Sequence, residues 1–146
     1  MSSTTRESFE TIWNDPNIGS KYRAAERATL PFARELVQRS RITSVTADTP
    51  LNVLDQACGT GVVGLALHDM LAGRPETSWK LTGTDVSQPM LDAFQERVKT
   101  AGWKNTDAKI SDIQKNGLLS AQYTHVFSSF GKEEDTCSRK YLEYAD

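Results

Sequence analysis

The sequence predicts an α/β fold in which a mostly parallel, doubly wound sheet follows a helical N-terminal segment. From residue 51 onward, short apolar runs alternate with amphipathic helical patterns, and this order indicates strands joined by helical crossovers. Right-handed crossovers would place all the strand C-termini along one edge. We expect one domain over residues 1–146. It would comprise a helical extension or lid (1–50), a core (51–131) and a charged tail (132–146).

The sequence of the N-terminal extension predicts helices separated by a turn. Residues 5–14 can form a short helix, and the Pro- and Gly-containing segment 15–19 should break it. Ser20 is expected to cap a second helix, because a serine hydroxyl can accept a hydrogen bond from the first free backbone N–H groups. Pro31 should kink or split that helix. Residues 39–50 form a polar connection.

The sequence of the core predicts four strands, and we expect the sheet to be truncated after the fourth. Their ranges are 51–55, 79–85, 107–111 and 123–130. A first helix over 62–71 follows the first strand. A second helix is capped by Ser87 and ended by Gly102, with Met90, Leu91, Phe94 and Val98 forming one apolar stripe.

A glycine turn joins the first strand to the first helix. Residues 55–61 read Asp-Gln-Ala-Cys-Gly-Thr-Gly. Glycines fit such a turn because a side chain would block the approach of a ligand to the backbone, and because the turn uses positive φ angles. A strand, this turn and a helix together predict a phosphate- or nucleoside-binding site.

Two ligand classes compete for this turn. Residues 59–64 spell G-x-G-x-x-G, the fingerprint of nicotinamide and flavin dinucleotide sites, and an NAD(P)-dependent oxidoreductase is therefore one alternative. Asp55 argues against it, because a carboxylate four residues before Gly59 would repel a pyrophosphate. The same carboxylate could pair with the cationic methionine portion of S-adenosylmethionine.

The turn resembles the signature loop of class I S-adenosylmethionine-dependent methyltransferases, in which an acid is followed shortly by Gly-x-Gly. Residues 84–91 (Thr-Asp-Val-Ser-Gln-Pro-Met-Leu) resemble the second motif of that family, an acid followed by a serine and then Met-Leu. The resemblance implies a Rossmann-like sheet, S-adenosyl-L-methionine as cofactor, and methyl transfer to a small-molecule acceptor. The cofactor-binding residues that it implies are Asp55, Ala57, Gly59, Thr60, Gly61, Asp85, Val86, Met90, Asp112, Ile113 and Ser128.

Several of these residues have a second interpretation. Asp85 would accept both ribose hydroxyls, or it could be a helix N-terminal acid. Met90 would lie against the adenine, or belong to the core face of its helix, and the two do not exclude each other. Asp112 and Ile113 would contact the adenine, whereas Asp112 could also be an ordinary turn aspartate.

The other residues that could take part in catalysis or acceptor binding also have structural interpretations. Cys58 fits a tight loop as a small residue, and His68 fits surface or packing. His125 opens the fourth strand, and a base there would lie far from the ligand edge. Trp13, Tyr22 and Phe130 are candidates for an aromatic wall over the acceptor, with ordinary packing as the alternative. No residue is assigned as catalytic, and no metal site is expected.

Charge and composition exclude some partner classes. The net charge of -2 gives no reason to expect nucleic acid or an anionic membrane surface as a partner. No apolar stretch is long enough to cross a bilayer. Two cysteines do not make a disulfide framework, so a cytoplasmic location is expected.

The resemblance ends near Gly131, fifteen residues before the last residue, whereas a complete domain of this class has seven strands. Strand 123–130 would then be an exposed sheet edge. We expect a homodimer contact, another partner or the N-terminal helices to cover it. An alternative function follows: a shortened, non-methylating protein that acts as an isomerase or cyclase, or that assists another enzyme.

Overall fold

The computed structural model describes residues 11–112 and 122–129. Its strands are β1 (Leu51–Gln56), β2 (Trp79–Asp85), β3 (Thr106–Ile110) and β4 (His125–Ser128). They form a four-stranded sheet in the order β3-β2-β1-β4, and every neighbouring pair is parallel. The predicted Rossmann-like parallel sheet is confirmed. The strand order reverses between β1 and β4, and open α/β sheets bind their ligands beyond the carboxyl ends of the strands at such a switch point.

Four helices lie wholly within the described residues: α1 (Ile18–Ala24), α2 (Glu26–Arg39), α3 (Val62–Met70) and α4 (Gln88–Ala101). Short 3-10 turns lie at Ile42–Ser44 and Glu76–Ser78. Helix α2 packs against α3, and α1 packs against α4. Within the described residues, no helix has the length and apolarity that spanning a bilayer requires.

Helix α4 begins and ends where its sequence predicts. The Ser87 hydroxyl accepts a hydrogen bond from the Met90 N–H at 3.3 Å, which satisfies one of the free donors at the helix start. Gly102 ends the helix at φ 71°, a left-handed conformation that glycine adopts without a side-chain penalty.

The N-terminal helices differ from the prediction. Helix α1 begins at Ile18 with Asn17 before it, so Ser20 lies inside the helix and does not cap it. A split was predicted at Pro31, but Pro31 lies within the uninterrupted α2, and the two helices are separated at Ala25 instead. Ala25 has φ -85° and ψ -3°, and its N–H still bonds to the Tyr22 carbonyl at 3.0 Å. Of the helix predicted over 5–14, residues 11–13 are described, and they are helical.

The core is centred on Phe94 of α4, which is fully buried. Three glycines leave the space that its ring fills. A Cβ added at Gly61 would lie 2.0 Å from the ring, one at Gly83 would lie 2.9 Å from it, and one at Gly64 would lie 3.3 Å from it. The glycine turn, β2 and α3 therefore all pack closely around one aromatic side chain.

The boundaries of two strands differ slightly from the prediction. Strand β3 begins one residue before its predicted start, and β4 begins two residues after its predicted start and ends at Ser128.

Candidate functional site

The carboxyl end of β1 carries a buried acid, Asp55, one oxygen of which has no hydrogen-bond partner among the described residues. Asp55 is 1% exposed and stands in register with Gly83 of β2 and Phe127 of β4. Its Oδ2 atom has no hydrogen-bond partner among the described residues. Burial raises the pKa of the Asp55 carboxyl well above its usual range, and the nearby charge of Asp85 raises it further. A buried acceptor left unsatisfied is destabilising, so this atom is suited to a ligand that brings a donor or a positive charge.

The turn after β1 has the backbone conformation that its glycines predict. Gly59 has φ 54° and Gly61 has φ 91°. Ala57 also has a positive φ, 52°, an uncommon conformation for a residue with a Cβ. Such strained backbone clusters at ligand sites.

The two glycines of the turn serve different purposes. A Cβ added at Gly59 would meet no atom within 4 Å, so this side of the backbone is open to a ligand. A Cβ added at Gly61 would lie 2.0 Å from Cδ2 of Phe94. Packing against α4 therefore explains Gly61, whereas Gly59 is explained by its positive φ and has no described atom against it.

Asp85, at the end of β2, supports the turn. Its Oδ2 accepts a hydrogen bond from the Gly59 N–H at 2.8 Å, and its Oδ1 accepts one from the Ser87 N–H at 3.0 Å. It thus faces the start of α4, as the helix N-terminal interpretation predicts, while also fixing the glycine turn. Each carboxylate oxygen can accept a further hydrogen bond, so these two bonds do not exclude the predicted contact with ribose.

Thr60 is held from two sides and is 5% exposed. Its hydroxyl donates to Oε1 of Glu26 at 3.1 Å, and its carbonyl oxygen accepts from Nε of Arg97 at 3.0 Å. Glu26 and Arg97 also form an ion pair. Sequence reasoning missed these two residues, because each lies in an ordinary polar position of a helix and they are 71 positions apart.

The other predicted site residues lie at or near the same edge. Val86 follows β2 and is 53% exposed, whereas Met90 is 2% exposed on the inner face of α4. Asp112 is partly buried just after β3. Ser128, the last residue of β4, is exposed and pairs with Gln56. Ile113 and Phe130 lie outside the described residues.

The N-terminal segment reaches this edge through the main chain of Trp13, whose ring contacts that of Tyr22. The rings of Trp13 and Tyr22 lie 5.6 Å apart between centroids, at an interplanar angle of 50°. The Ser87 hydroxyl donates a hydrogen bond to the Trp13 carbonyl oxygen. Ser87 therefore joins the helical residues 11–13 to the start of α4, two residues beyond Asp85.

The histidines and the described cysteine occupy structural positions. His68 stacks on Trp103 with 3.9 Å between ring centroids, and its Nε2 lies 2.8 Å from Oγ1 of Thr106. His125 is the first residue of β4, at the end opposite the site. Cys58 is buried, and burial raises the pKa of its thiol well above the usual range. A thiol without thiolate character is a poor nucleophile.

Comparison with known proteins agrees with this geometry. Residues 53–143 match the family described as "Methyltransferase domain". The chain is 42% identical to the methyltransferase ktnA of Aspergillus niger over 77% of this chain and 37% of that protein. It is 33% identical to the acetylaranotin bis-thiomethyltransferase of Aspergillus terreus over 86% of this chain and 45% of that protein.

Solved structures share the fold. A structure from Methanococcus maripaludis, assigned as an S-adenosyl-L-methionine-dependent methyltransferase, superposes with a TM-score of 0.65 at 14% identity. The superposition covers 89% of this chain and 57% of the Methanococcus chain. The aligned part of this chain spans less than half the length of each of the two Aspergillus relatives. On its motifs, its sheet order and these matches, it belongs to the class I S-adenosylmethionine-dependent methyltransferase family.

Proposed function

We propose that the chain binds S-adenosyl-L-methionine at the carboxyl edge of β1 and β2 and takes part in methyl transfer to a small molecule. The observation that carries this proposal is the unsatisfied Oδ2 of the buried Asp55, four residues before the open backbone of Gly59. A cationic ligand that fits against bare main chain satisfies both features. The family membership supports the same choice over a dinucleotide.

Each side chain has a distinct task in this proposal. Asp55 accepts a hydrogen bond from the ammonium group of the methionine portion, and this contact offsets the unfavourable burial of its charge. The second lone pairs of Asp85 accept the ribose hydroxyls while its present bonds hold Gly59 and Ser87. Val86, Met90 and Asp112 surround the adenine. When bound, the cofactor supplies an electrophilic methyl group on a positively charged sulfur.

The acceptor is proposed to be a small molecule of secondary metabolism. Support comes from the fungal relatives, one of which is named as an acetylaranotin bis-thiomethyltransferase. We assign the Trp13–Tyr22 ring pair as an apolar wall for the acceptor, since the Trp13 carbonyl oxygen is bonded to Ser87 at this edge. The task of such a wall is to orient the acceptor in line with the methyl carbon and to exclude water. A general base is needed only when the acceptor must lose a proton.

We also propose a second candidate function, because the described residues form a four-stranded sheet with β4 at its margin. In the alternative, the same pocket binds the cofactor without methyl transfer. The protein then serves as an isomerase or cyclase, or as an accessory partner of another enzyme.

Calorimetric titration separates these possibilities. We expect S-adenosylmethionine and S-adenosylhomocysteine to bind and NAD not to bind. Asp85→Ala should weaken S-adenosylhomocysteine binding by about 1.5–3 kcal/mol, the range for hydrogen bonds to a charged group. Binding without turnover across candidate acceptors would favour the second function, and tight binding of NAD alone would reject the cofactor assignment.

We further propose that a second copy of the chain covers the edge of β4. Its Val126 is 42% exposed, and open strand edges attract pairing with other chains. Light scattering of the purified chain should give the mass of a dimer, and Val126→Lys should shift it toward the monomer. A monomer at all concentrations would reject the dimer. The cytoplasmic location stays a prediction.

A further inference from the structure

A cluster of three side chains joins the glycine turn to two helices. Glu26 is the first residue of α2, Arg97 lies in the third turn of α4, and Thr60 stands between Gly59 and Gly61. The Arg97 and Glu26 side chains retain 12% and 19% of their exposure, respectively. We call these three residues the Glu26 clamp.

The bonds of the Glu26 clamp close a ring around Thr60. Arg97 donates through Nη2 to Oε1 of Glu26 and through Nε to the Thr60 carbonyl oxygen, the latter at 3.0 Å. The Thr60 hydroxyl donates to the same Oε1 at 3.1 Å. Both the side chain and the main chain of Thr60 are thereby fixed, and each charge of the ion pair has its counter-charge within the ring.

The position of the ring in the turn gives it a role beyond stability. Glycine loses more conformational freedom on folding than any other residue, and Thr60 has one on each side. Asp85 restrains Gly59 at 2.8 Å, and the Cys58 carbonyl restrains the Gly61 N–H at 2.9 Å. The ring restrains the residue between them. Replacing a buried ion pair by apolar residues is often neutral or stabilising, so a gain in stability does not by itself account for this pair.

Arg23 adds a reason for the acid at position 26. Burial lowers the pKa of the Arg97 guanidinium, the charge of Glu26 opposes this shift, and the positive charge of Arg23 adds to it. The Arg23 Nη2 atom bonds only weakly, at 3.3 Å, to the Ala93 carbonyl oxygen. Removal of Glu26 would therefore leave the positive charges of Arg23 and Arg97 without this carboxylate.

We propose that Glu26 and Arg97 are positioning residues for the cofactor, acting through Thr60 to hold the glycine turn in its binding conformation. Neither residue is assigned a contact with the cofactor. The proposal rests on the proposed cofactor site. It makes α2, which precedes the sheet in sequence, a component of that site.

The test compares Glu26→Gln and Arg97→Gln with a matched control on the same helix. Arg39 pairs with Glu35 at 2.7 Å, and both side chains are exposed, at 78% and 55%. We expect the two clamp variants to bind S-adenosylhomocysteine about ten-fold more weakly, the effect of losing one hydrogen bond to a charged group. Arg39→Gln should bind as the unaltered chain does. The double variant should lose no more than the stronger single variant, because the three residues act as one ring.

A second measurement separates positioning from general stability. Hydrogen exchange at the amides of residues 59–61 should accelerate in the clamp variants, while exchange in β2 stays unchanged. Should either variant fail to fold, Thr60→Val removes the hydroxyl bond to Glu26 with almost no change in shape, and it should show the same weaker binding and faster exchange.

Three results would overturn the proposal. One is unchanged affinity in folded clamp variants. Another is an affinity loss that merely follows a loss of unfolding free energy, with β2 and the turn exchanging faster together. The third is unchanged exchange at residues 59–61. Failure of the unaltered chain to bind S-adenosylhomocysteine would instead reject the proposed cofactor, and exchange in the turn would then still report whether the clamp holds it.

Discussion

The two ends of the parallel sheet satisfy their polar groups very differently. At the amino end, Arg74 donates to the Val45 and Thr46 carbonyl oxygens at 3.0 Å each, to that of Thr49, and to the Ser78 hydroxyl at 3.1 Å. At the carboxyl end, Asp55 is buried with an unpartnered oxygen. The amino end therefore satisfies its polar groups, whereas the carboxyl end keeps a buried acceptor without a partner among the described residues, which is destabilising.

The backbone shows the same contrast. The turn at the carboxyl end has positive φ angles at Ala57, Gly59 and Gly61. At the amino end, Arg41 precedes the 3-10 turn with φ 55°, but the loop after it is bonded to Arg74 at three carbonyl groups. Strain alone does not mark the site. What distinguishes the carboxyl end is strained backbone beside an unsatisfied buried acid.

The largest expected effect is that of Gly61→Ala. The new methyl group would lie 2.0 Å from Phe94 while adopting φ 91°, and we expect the unfolding free energy to fall by about 3 kcal/mol or more. Gly59→Ala is the control, because it shares the positive φ but meets no atom within 4 Å. It should lose about 1 kcal/mol, and it should bind S-adenosylhomocysteine poorly. Urea denaturation measures both, and equal losses would refute the separate roles of the two glycines.

Arg74→Ala tests whether the hydrogen bonds at the amino end of the sheet stabilise the fold. Losing its hydrogen bonds to the loop should lower the unfolding free energy by about 2 kcal/mol while cofactor affinity stays unchanged. Arg34→Ala, which removes an exposed ion pair with Asp69 at 3.4 Å, should change stability by less than about 0.5 kcal/mol. Weaker cofactor binding in Arg74→Ala would show that the two ends are coupled.

In contrast to the preceding variants, Asp55→Asn should raise the unfolding free energy of the ligand-free protein. The pKa of Asp55 is raised by burial and by Asp85, so its favourable protonated state is complete below the ordinary pKa of an aspartate and is lost as the pH rises through the raised value. Without ligand, the variant should be more stable at pH 8 by about 1–2 kcal/mol. It should also bind S-adenosylmethionine more weakly.

The control for this variant is Asp107→Asn, whose side chain is 65% exposed. It should change neither the pH profile of stability nor the binding. If Asp55→Asn destabilised the empty protein, the unpartnered acid would not be the feature that sets the two ends apart.

The smallest expected effect concerns His68 near the amino end. Burial lowers its pKa to about 4, below the ordinary value near 6.5, so the folded chain resists protonation that the unfolded chain accepts. Stability should therefore fall as the pH drops from about 6.5 to about 4. Because solvent screens a half-buried ring, we expect about 1 kcal/mol. Thermal unfolding of His68→Gln should show a flatter pH profile, and an unchanged profile would contradict the assignment.

Local sequence patterns were sufficient for the elements that form the site. The alternation of apolar runs and helices predicted the parallel sheet, and Ser87 and Gly102 marked the ends of α4. Patterns failed where neighbouring segments decided the outcome. Pro31 did not divide its helix, and the break fell at Ala25 instead. Ser20 had the chemistry of a cap, but the helix had already begun at Ile18.

By itself, the sequence determined the family, the alternation of strands and helices along the chain and the acid–glycine turn, because these depend on residues close together along the chain. The tertiary structure alone decided why Gly61 is needed, which oxygen of Asp55 lacks a partner, and that Glu26 and Arg97 meet at Thr60. Those facts depend on which side chains from distant segments share one space. Spacing along the chain carries no record of such contacts until the sheet and helices are packed.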